Sequence, residues 1–232
     1  TLDEPFESMA SRFADQPGTV VLLSGGDLDC SRYHILAARP WLKIVTRKNK
    51  TRISLFDDHC TIQGNPLVLL QQILNGLHLG NKRFPTPVSA GLFGYFAYDL
   101  KDCLEELPRT SVDDLHLPDM CLYAPRWLLI YDKHSREHRI CVPRLSGDPA
   151  GSIAEILEAF YRRCRIPAAP TEEFSGDPSR MGSNFSQRQY MDSVSRIRDY
   201  IAAGDVYQVN MSQRFQTSFS GSGWDLFREL YR

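Results

Sequence analysis

The chain has 232 residues, 42% hydrophobic and 24% charged, with 27 Lys and Arg against 28 Asp and Glu, so it carries a formal charge of −1. That composition excludes disorder and fibrous repeats, and the absence of a basic excess points away from nucleic acid and anionic membranes toward small molecules or proteins as partners. The longest apolar runs, such as Trp127-Leu128-Leu129-Ile130, are far shorter than the roughly 20 residues of a membrane helix, and the acidic start Thr1-Leu2-Asp3-Glu4-Pro5 has no signal-peptide pattern. Six widely spaced cysteines (Cys30, Cys60, Cys103, Cys121, Cys141 and Cys164) form no C-x-x-C pair, which points to a reducing, cytoplasmic setting.

In chain order, Val20-Val21-Leu22-Leu23-Ser24 reads as a buried strand closed by Gly25-Gly26. Trp41–Arg47 and Thr51–Phe56 are strand candidates joined by a hairpin turn at Lys48-Asn49-Lys50. Pro66 starts a helix carrying Leu67, Leu70, Ile73, Leu74 and Leu77, ended by Gly76 and Gly80. Ala90–Asp99, rich in glycine and aromatics, fits a strand approached closely by another backbone or a ligand. Met120–Asp132 and His138–Pro143 read as strands joined by a polar turn. Ile153, Ile156, Leu157, Phe160 and Tyr161 share a helical face, and Arg162, Arg163 and Arg165 fall in the last turn, where cations suit the helix dipole.

Residues 168–185 have no hydrophobic period and read as a surface linker between a region 1–167 and a region 186–232. Ser186-Gln187-Arg188-Gln189 is a capping box for a helix through Tyr190, Val194, Ile197 and Ile201, ending at Gly204. Val206–Phe215 is expected to be a strand with Gln208, Asn210, Ser212 and Arg214 on one face, and Ser222–Leu230 begins another amphipathic helix that still runs where the sequence stops.

His134-Ser135-Arg136-Glu137-His138 has the spelling of a zinc-protease motif, but it bridges two strands rather than lying on a helix, so both rings are expected in solvent at a turn and no metal role is assigned. Asp27 and Asp29 read as turn residues. Three segments ask for more than packing: Ser24 with Ser31-Arg32-Tyr33, groups able to hold an amino-acid carboxylate and stack on an aromatic ring; the Gly91–Asp99 strand; and the polar row from Gln208 to Arg214.

These segments, in this order, resemble the N-terminal half of the chorismate-utilising synthase family, which includes anthranilate synthase component I and aminodeoxychorismate synthase component I. The residues that carry the resemblance are Leu22-Leu23-Ser24 with Ser31-Arg32-Tyr33, Gly91–Asp99 leading to Leu107-Pro108 and Leu117-Pro118-Asp119, and Gly204–Asn210 with Ser212–Phe215. Tyr207-Gln208-Val209-Asn210 looks more like the aminodeoxychorismate branch, where the anthranilate branch usually has an apolar residue in the place of Asn210. The implied fold is α+β, with large, mostly antiparallel sheets and outer helices, half of a two-layer sandwich. The implied reaction is amination of chorismate at C4 with ammonia from a glutamine amidotransferase, assisted by Mg²⁺, on the way to 4-aminobenzoate and folate.

In the family, the catalytic lysine, the acid–base glutamate, the Mg²⁺-binding glutamates and the glycine-rich carboxylate loop lie downstream of Arg232. The resemblance therefore implies no catalytic and no metal-binding residue within residues 1–232, and a chain inactive by itself. It does imply one site: Ser24, Cys30, Ser31, Arg32 and Tyr33 as part of a pocket for an aromatic amino acid such as tryptophan. Gly25-Gly26-Asp27 and a spacing to Ser31 one residue shorter depart from the family pattern and leave the amino-acid specificity open. The alternatives are anthranilate synthase component I, in tryptophan biosynthesis, and a non-catalytic amino-acid-binding module.

Overall fold

The structure, a computed structural model, describes residues 4–26, 28, 30–77, 86–108, 112–167 and 175–231. The chain divides into two compact units, Thr1–Ala169 and Pro170–Arg232. The first is built on a seven-stranded sheet whose pairings are all antiparallel. Its spine is the long pair β2 (Tyr33–Arg47) and β6 (Met120–Asp132), in register from Tyr33 opposite Asp132 to Thr46 opposite Met120. Around one end, β3 (Lys50–Leu55) and β4 (Asp58–Gln63) extend the sheet from β2, and β5 (Phe93–Phe96) extends it from β6. Around the other end, β1 (Val20–Leu22) pairs with β2 and β7 (Glu137–Cys141) with β6.

Around Leu36–Ala38 and Trp127–Ile130 the spine is buried on both faces, where both strands are apolar runs, whereas beyond Pro40 β2 alternates and exposes Lys43 and Arg47. On one face Leu36, Leu129 and Trp127 are at most 1% exposed. Here Trp127 meets Phe13 edge-on at 4.8 Å, just past helix α1 (Phe6–Ser11), and Phe160 at 5.0 Å from helix α3 (Ser152–Arg165). On the other face Ala37, Leu128 and Ile130 pack with Phe93 and Val20. Beyond a register shift between Pro40 and Leu42, the residues Leu42, Ile44, Met120 and Leu122 receive Leu70 and Ile73 of helix α2 (Pro66–Gly76). The buried hydroxyls of Thr46 and Thr51, directly opposite in the ladder, satisfy each other at 2.8 Å.

Local signals set the ends of these elements. Asn65 caps α2 by accepting from the N–H groups of Leu67 and Val68, with Pro66 in the first turn. The β2–β3 hairpin turns tightly at Lys48 and Asn49, as expected from the sequence. At Gly94 the close approach expected of the glycine-rich strand is realised: a Cβ there would stand 1.9 Å from the carbonyl oxygen of Cys121.

In the second unit, helix α4 (Gln187–Ala203) starts in the expected capping box, Ser186 with Gln189, and stops at Gly204 in a left-handed conformation. Helix α5 (Gly223–Tyr231) follows. Two short ladders complete the unit: β8 (Ser175–Gly176) with β11 (Phe219–Ser220), and β9 (Gly182–Ser183) with β10 (Phe215–Gln216). Of the stretch read as a linker, 168–174 lie outside the described residues.

The strand expected over Val206–Phe215 is a correction, since only Phe215 and Gln216 enter a ladder. Residues 206–214 are irregular, with a bend at Tyr207 and no strand beside them among the described residues, and alternation of polar side chains does not make a strand without a hydrogen-bonding partner. No described helix is long and apolar enough to cross a membrane.

Candidate functional site

The first singled-out segment is the loop between β1 and β2. The hairpin pairs Leu22 with Ile35, so the chain between them closes on itself and its polar groups face one another. Ser24 Oγ donates to the carbonyl of Tyr33 at 2.7 Å, and the Ser24 N–H donates to Nδ1 of His34 at 3.1 Å. Ser31 Oγ lies 2.8 Å from the carbonyl oxygens of both Gly26 and Leu28, donating to one at a time. From the β6–β7 turn, Lys133 Nζ donates to the carbonyl of Gly26 at 3.0 Å and reaches that of Ser24 at 3.4 Å.

Arg32 is fixed by Asp132, the last residue of β6, through a two-pronged contact: Nε to Oδ1 at 2.9 Å and Nη2 to Oδ2 at 2.5 Å. The guanidinium carbon stands 4.9 Å from the centre of the Tyr33 ring. Hydrogen bonding to Arg32 holds the Asp132 carboxyl well below the ordinary aspartate range, helped by backbone N–H groups of the turn, and the same bond pushes the Arg32 pKa up. Two donors of Arg32, those on Nη1, make no hydrogen bond to the described residues. His34 is 5% exposed, and burial pushes its pKa down.

Ser24, Ser31, Arg32 and Tyr33 are thus neighbours in one hydrogen-bonded loop, and Cys30 is exposed on it. Asp27 and Asp29 lie outside the described residues. The partners that organise the loop, Asp132, Lys133 and His34, were not found by sequence reasoning. Their signal was non-local: two long antiparallel strands ending at Tyr33 and Asp132 bring Arg32 beside a carboxylate 100 positions away.

The other two segments do different work. Within Gly91–Asp99, β5 occupies a sheet edge with Phe93 buried and Tyr95 and Phe96 exposed, and Tyr98 opens a 3-10 turn that runs to Cys103. That turn borders a cleft of about 620 Å³ lined by Lys48, Asn65, Asp99, Asp102 and Asp119. Asp119 is structural there, since its carboxylate accepts from the Lys48 N–H while its own N–H donates to the carbonyl of Thr46.

Of the polar row, Gln208 bonds Asn210 at 3.3 Å, and Arg214 exchanges bonds with Asn184 through its N–H and carbonyl. The solvent expectation for the His134–His138 stretch is half corrected. His134 is exposed in the turn, whereas His138 packs 4.6 Å from Tyr131 because β7 pairs with the end of β6. Among the described residues no three His, Cys, Asp or Glu side chains could hold a metal ion, so these residues offer no ligand set for the Mg²⁺ that the resemblance implies.

Comparison with known proteins gives this geometry its context. The family model described as chorismate binding enzyme matches residues 31–232. Aminodeoxychorismate synthase component 1 of Escherichia coli K12 is 32% identical over 222 residues, covering 95% of this chain and 47% of that protein. Anthranilate synthase component 1 of Cereibacter sphaeroides is 29% identical over 244 residues, covering 99% of this chain and 49% of that one. Among solved structures, anthranilate synthase component I from Streptococcus pneumoniae TIGR4 shares the fold with a TM-score of 0.72 at 22% identity, over 93% of this chain and 48% of that chain. The chain spans about half the length of the curated relatives it matches. The match to that family model over most of this chain's length shows that the chain belongs to the chorismate binding enzyme family.

Proposed function

We propose that this chain is part of component I of an aminodeoxychorismate synthase, which aminates chorismate at C4. The nitrogen of ammonia bonds to C4, the C4–oxygen bond breaks, and the hydroxyl departs as water. A glutamine amidotransferase subunit or domain supplies the ammonia, in the cytoplasm, and Mg²⁺ acts in the complete enzyme through ligands outside these residues. No catalytic group is assigned within residues 1–232, and the chain alone is inactive.

The observation that carries the branch assignment is the higher identity to the aminodeoxychorismate relative than to the anthranilate relative at similar coverage. The tract Tyr207-Gln208-Val209-Asn210 supports the same reading. Complementation tests it. The gene encoding this chain, expressed in full, restores growth of a bacterial 4-aminobenzoate auxotroph and not of an anthranilate auxotroph; the opposite pattern overturns the assignment.

The same reading makes the β1–β2 loop an effector site for an aromatic amino acid. Its support is the orientation of Arg32, held by Asp132 and resting over Tyr33 with Nη1 available to a carboxylate. Binding would bias an equilibrium between two arrangements of the protein. Tryptophan is expected to raise thermal stability of the full-length protein or lower its activity, less so in Arg32→Lys, and an unchanged response across a tryptophan titration contradicts the role.

A further inference from the structure

On the α1/α3 face of the sheet lies a smaller pocket, about 270 Å³, beside Phe13, Trp127 and Phe160 and apart from the β1–β2 loop. Its floor is aromatic and dry: Phe13, Trp127 and Phe160 are at most 3% exposed. Its rim carries Arg39, Arg162 and Arg163. Nearby arginines of this unit are matched by carboxylates. Arg12 holds Glu4, Arg126 holds Asp148, and Arg163 lies 3.6 Å from Asp15 while donating Nε to the carbonyl of Arg12. Arg39 and Arg162 have no ion-pair partner among the described residues.

The backbone at Arg39 is also unusual. It falls inside β2, between the ladder pairs Ala38–Trp127 and Pro40–Pro125, yet has a φ of 54°. That left-handed conformation is disfavoured for a long side chain and more so before proline. It adjoins the register shift between Pro40 and Leu42, the kind of irregularity that re-aims a side chain in a sheet. The arginines of the last turn of α3 outnumber what the half-charge of a helix C-terminus calls for, and their excess faces this pocket.

We propose that this pocket is a binding site for a small oxyanion ligand, a phosphate- or carboxylate-bearing molecule whose anionic group lies between Arg39 and Arg162. Planar guanidiniums suit both oxyanion geometries, and a pocket of this volume takes a small metabolite rather than a dinucleotide.

Calorimetric titration of the whole chain with inorganic phosphate and, separately, with succinate tests the site. Saturable binding of at least one anion is expected, weakened about ten-fold or more by Arg39→Gln and by Arg162→Gln and unchanged by Arg165→Gln on the same helix terminus. Tighter phosphate identifies a phosphorylated ligand, and tighter succinate a carboxylate. Arg39→Gly, which suits a φ of 54°, keeps the fold and loses the binding, so a failure to fold in Arg39→Gln does not obscure the result. Absence of saturable binding with both anions, binding that survives in Arg39→Gly and Arg162→Gln, or an equal loss in Arg165→Gln overturns the proposal. Because tryptophan and chorismate are absent from the assay, its failure leaves the reading of the enzyme untouched.

Discussion

Replacing Gly94 by alanine puts a methyl group where the sheet has no room. The new Cβ would lie 1.9 Å from the carbonyl oxygen of Cys121, 2.9 Å from its carbonyl carbon and 3.1 Å from Cα of Leu122. An ordinary carbon–oxygen contact is about 3.3 Å, so β5 must withdraw from β6 by about 1.4 Å. A backbone hydrogen bond of about 2.9 Å does not survive that withdrawal. The ladder here is four residue pairs long, from Phe93 opposite Tyr123 to Phe96 opposite Met120, so the loss of two bonds at about 1 kcal/mol each removes half of its hold. Phe93, 9% exposed, then regains water contact worth about 1 kcal/mol more.

These losses sum to about 3 kcal/mol, and the φ of 152° at Gly94 adds backbone strain that alanine would carry and glycine does not. With a urea m-value of about 2 kcal/mol per molar, the unfolding midpoint falls by about 1.5 M. Urea denaturation followed by circular dichroism measures it, with Gly91→Ala as the control, where the nearest atom to the new Cβ is 3.8 Å away. A Gly94→Ala midpoint within about 0.25 M of wild type, equivalent to about 0.5 kcal/mol, refutes the claim that this glycine is there for backbone approach.

Phe160→Ala, which removes the ring packed on both Phe13 and Trp127, is expected to cost about 3–5 kcal/mol by thermal denaturation, and a loss under 1 kcal/mol contradicts the packing described. The pKa of His34 is depressed by burial, against the raising effect of Glu7 and with the lowering effect of Lys133, so its contribution to stability is present above about pH 6.5 and lost as the pH falls toward the folded-state pKa. His34→Asn, which keeps an acceptor near the Ser24 N–H, is therefore expected to flatten the change in unfolding midpoint between pH 7.5 and 5.5; an unaltered slope contradicts the assignment.

Asp132 has a lowered pKa, so its contribution is present above about pH 3.9 and lost below it. At pH 7, Asp132→Asn frees Arg32, and limited proteolysis within residues 23–32 is expected to speed up, with equal rates counting against the clasp. Removal of the α4 cap in Ser186→Ala costs about 1 kcal/mol, read as about five-fold faster amide exchange in the first turn; unchanged exchange refutes the capping role.

What the sequence disclosed follows from where each element finds its stability. Met120–Asp132 and α4 were legible because their signals are local: a long apolar run in one, a capping box and a terminal glycine in the other. Helix α1 was missed because its six residues are too short to display a period, although Phe6, Met9 and Ala10 fill the core. Strand β4 was missed because every residue in it is exposed, leaving no alternation to read. The polar row from Gln208 to Arg214 alternates as a strand would, but the ladder that defines a strand depends on a partner, and none lies beside it among the described residues. Of the candidate site, the loop residues were legible and their clasp was not, since Asp132 and Lys133 reach Arg32 and Gly26 only through the register of β2 with β6.

The most direct test of the proposed function is the product formed when the gene encoding this chain is expressed in full and the purified protein is given chorismate, ammonium and Mg²⁺. Chromatography and mass spectrometry are expected to find 4-amino-4-deoxychorismate, while anthranilate, or unchanged chorismate from a folded protein supplied with its amidotransferase and glutamine, would contradict the account.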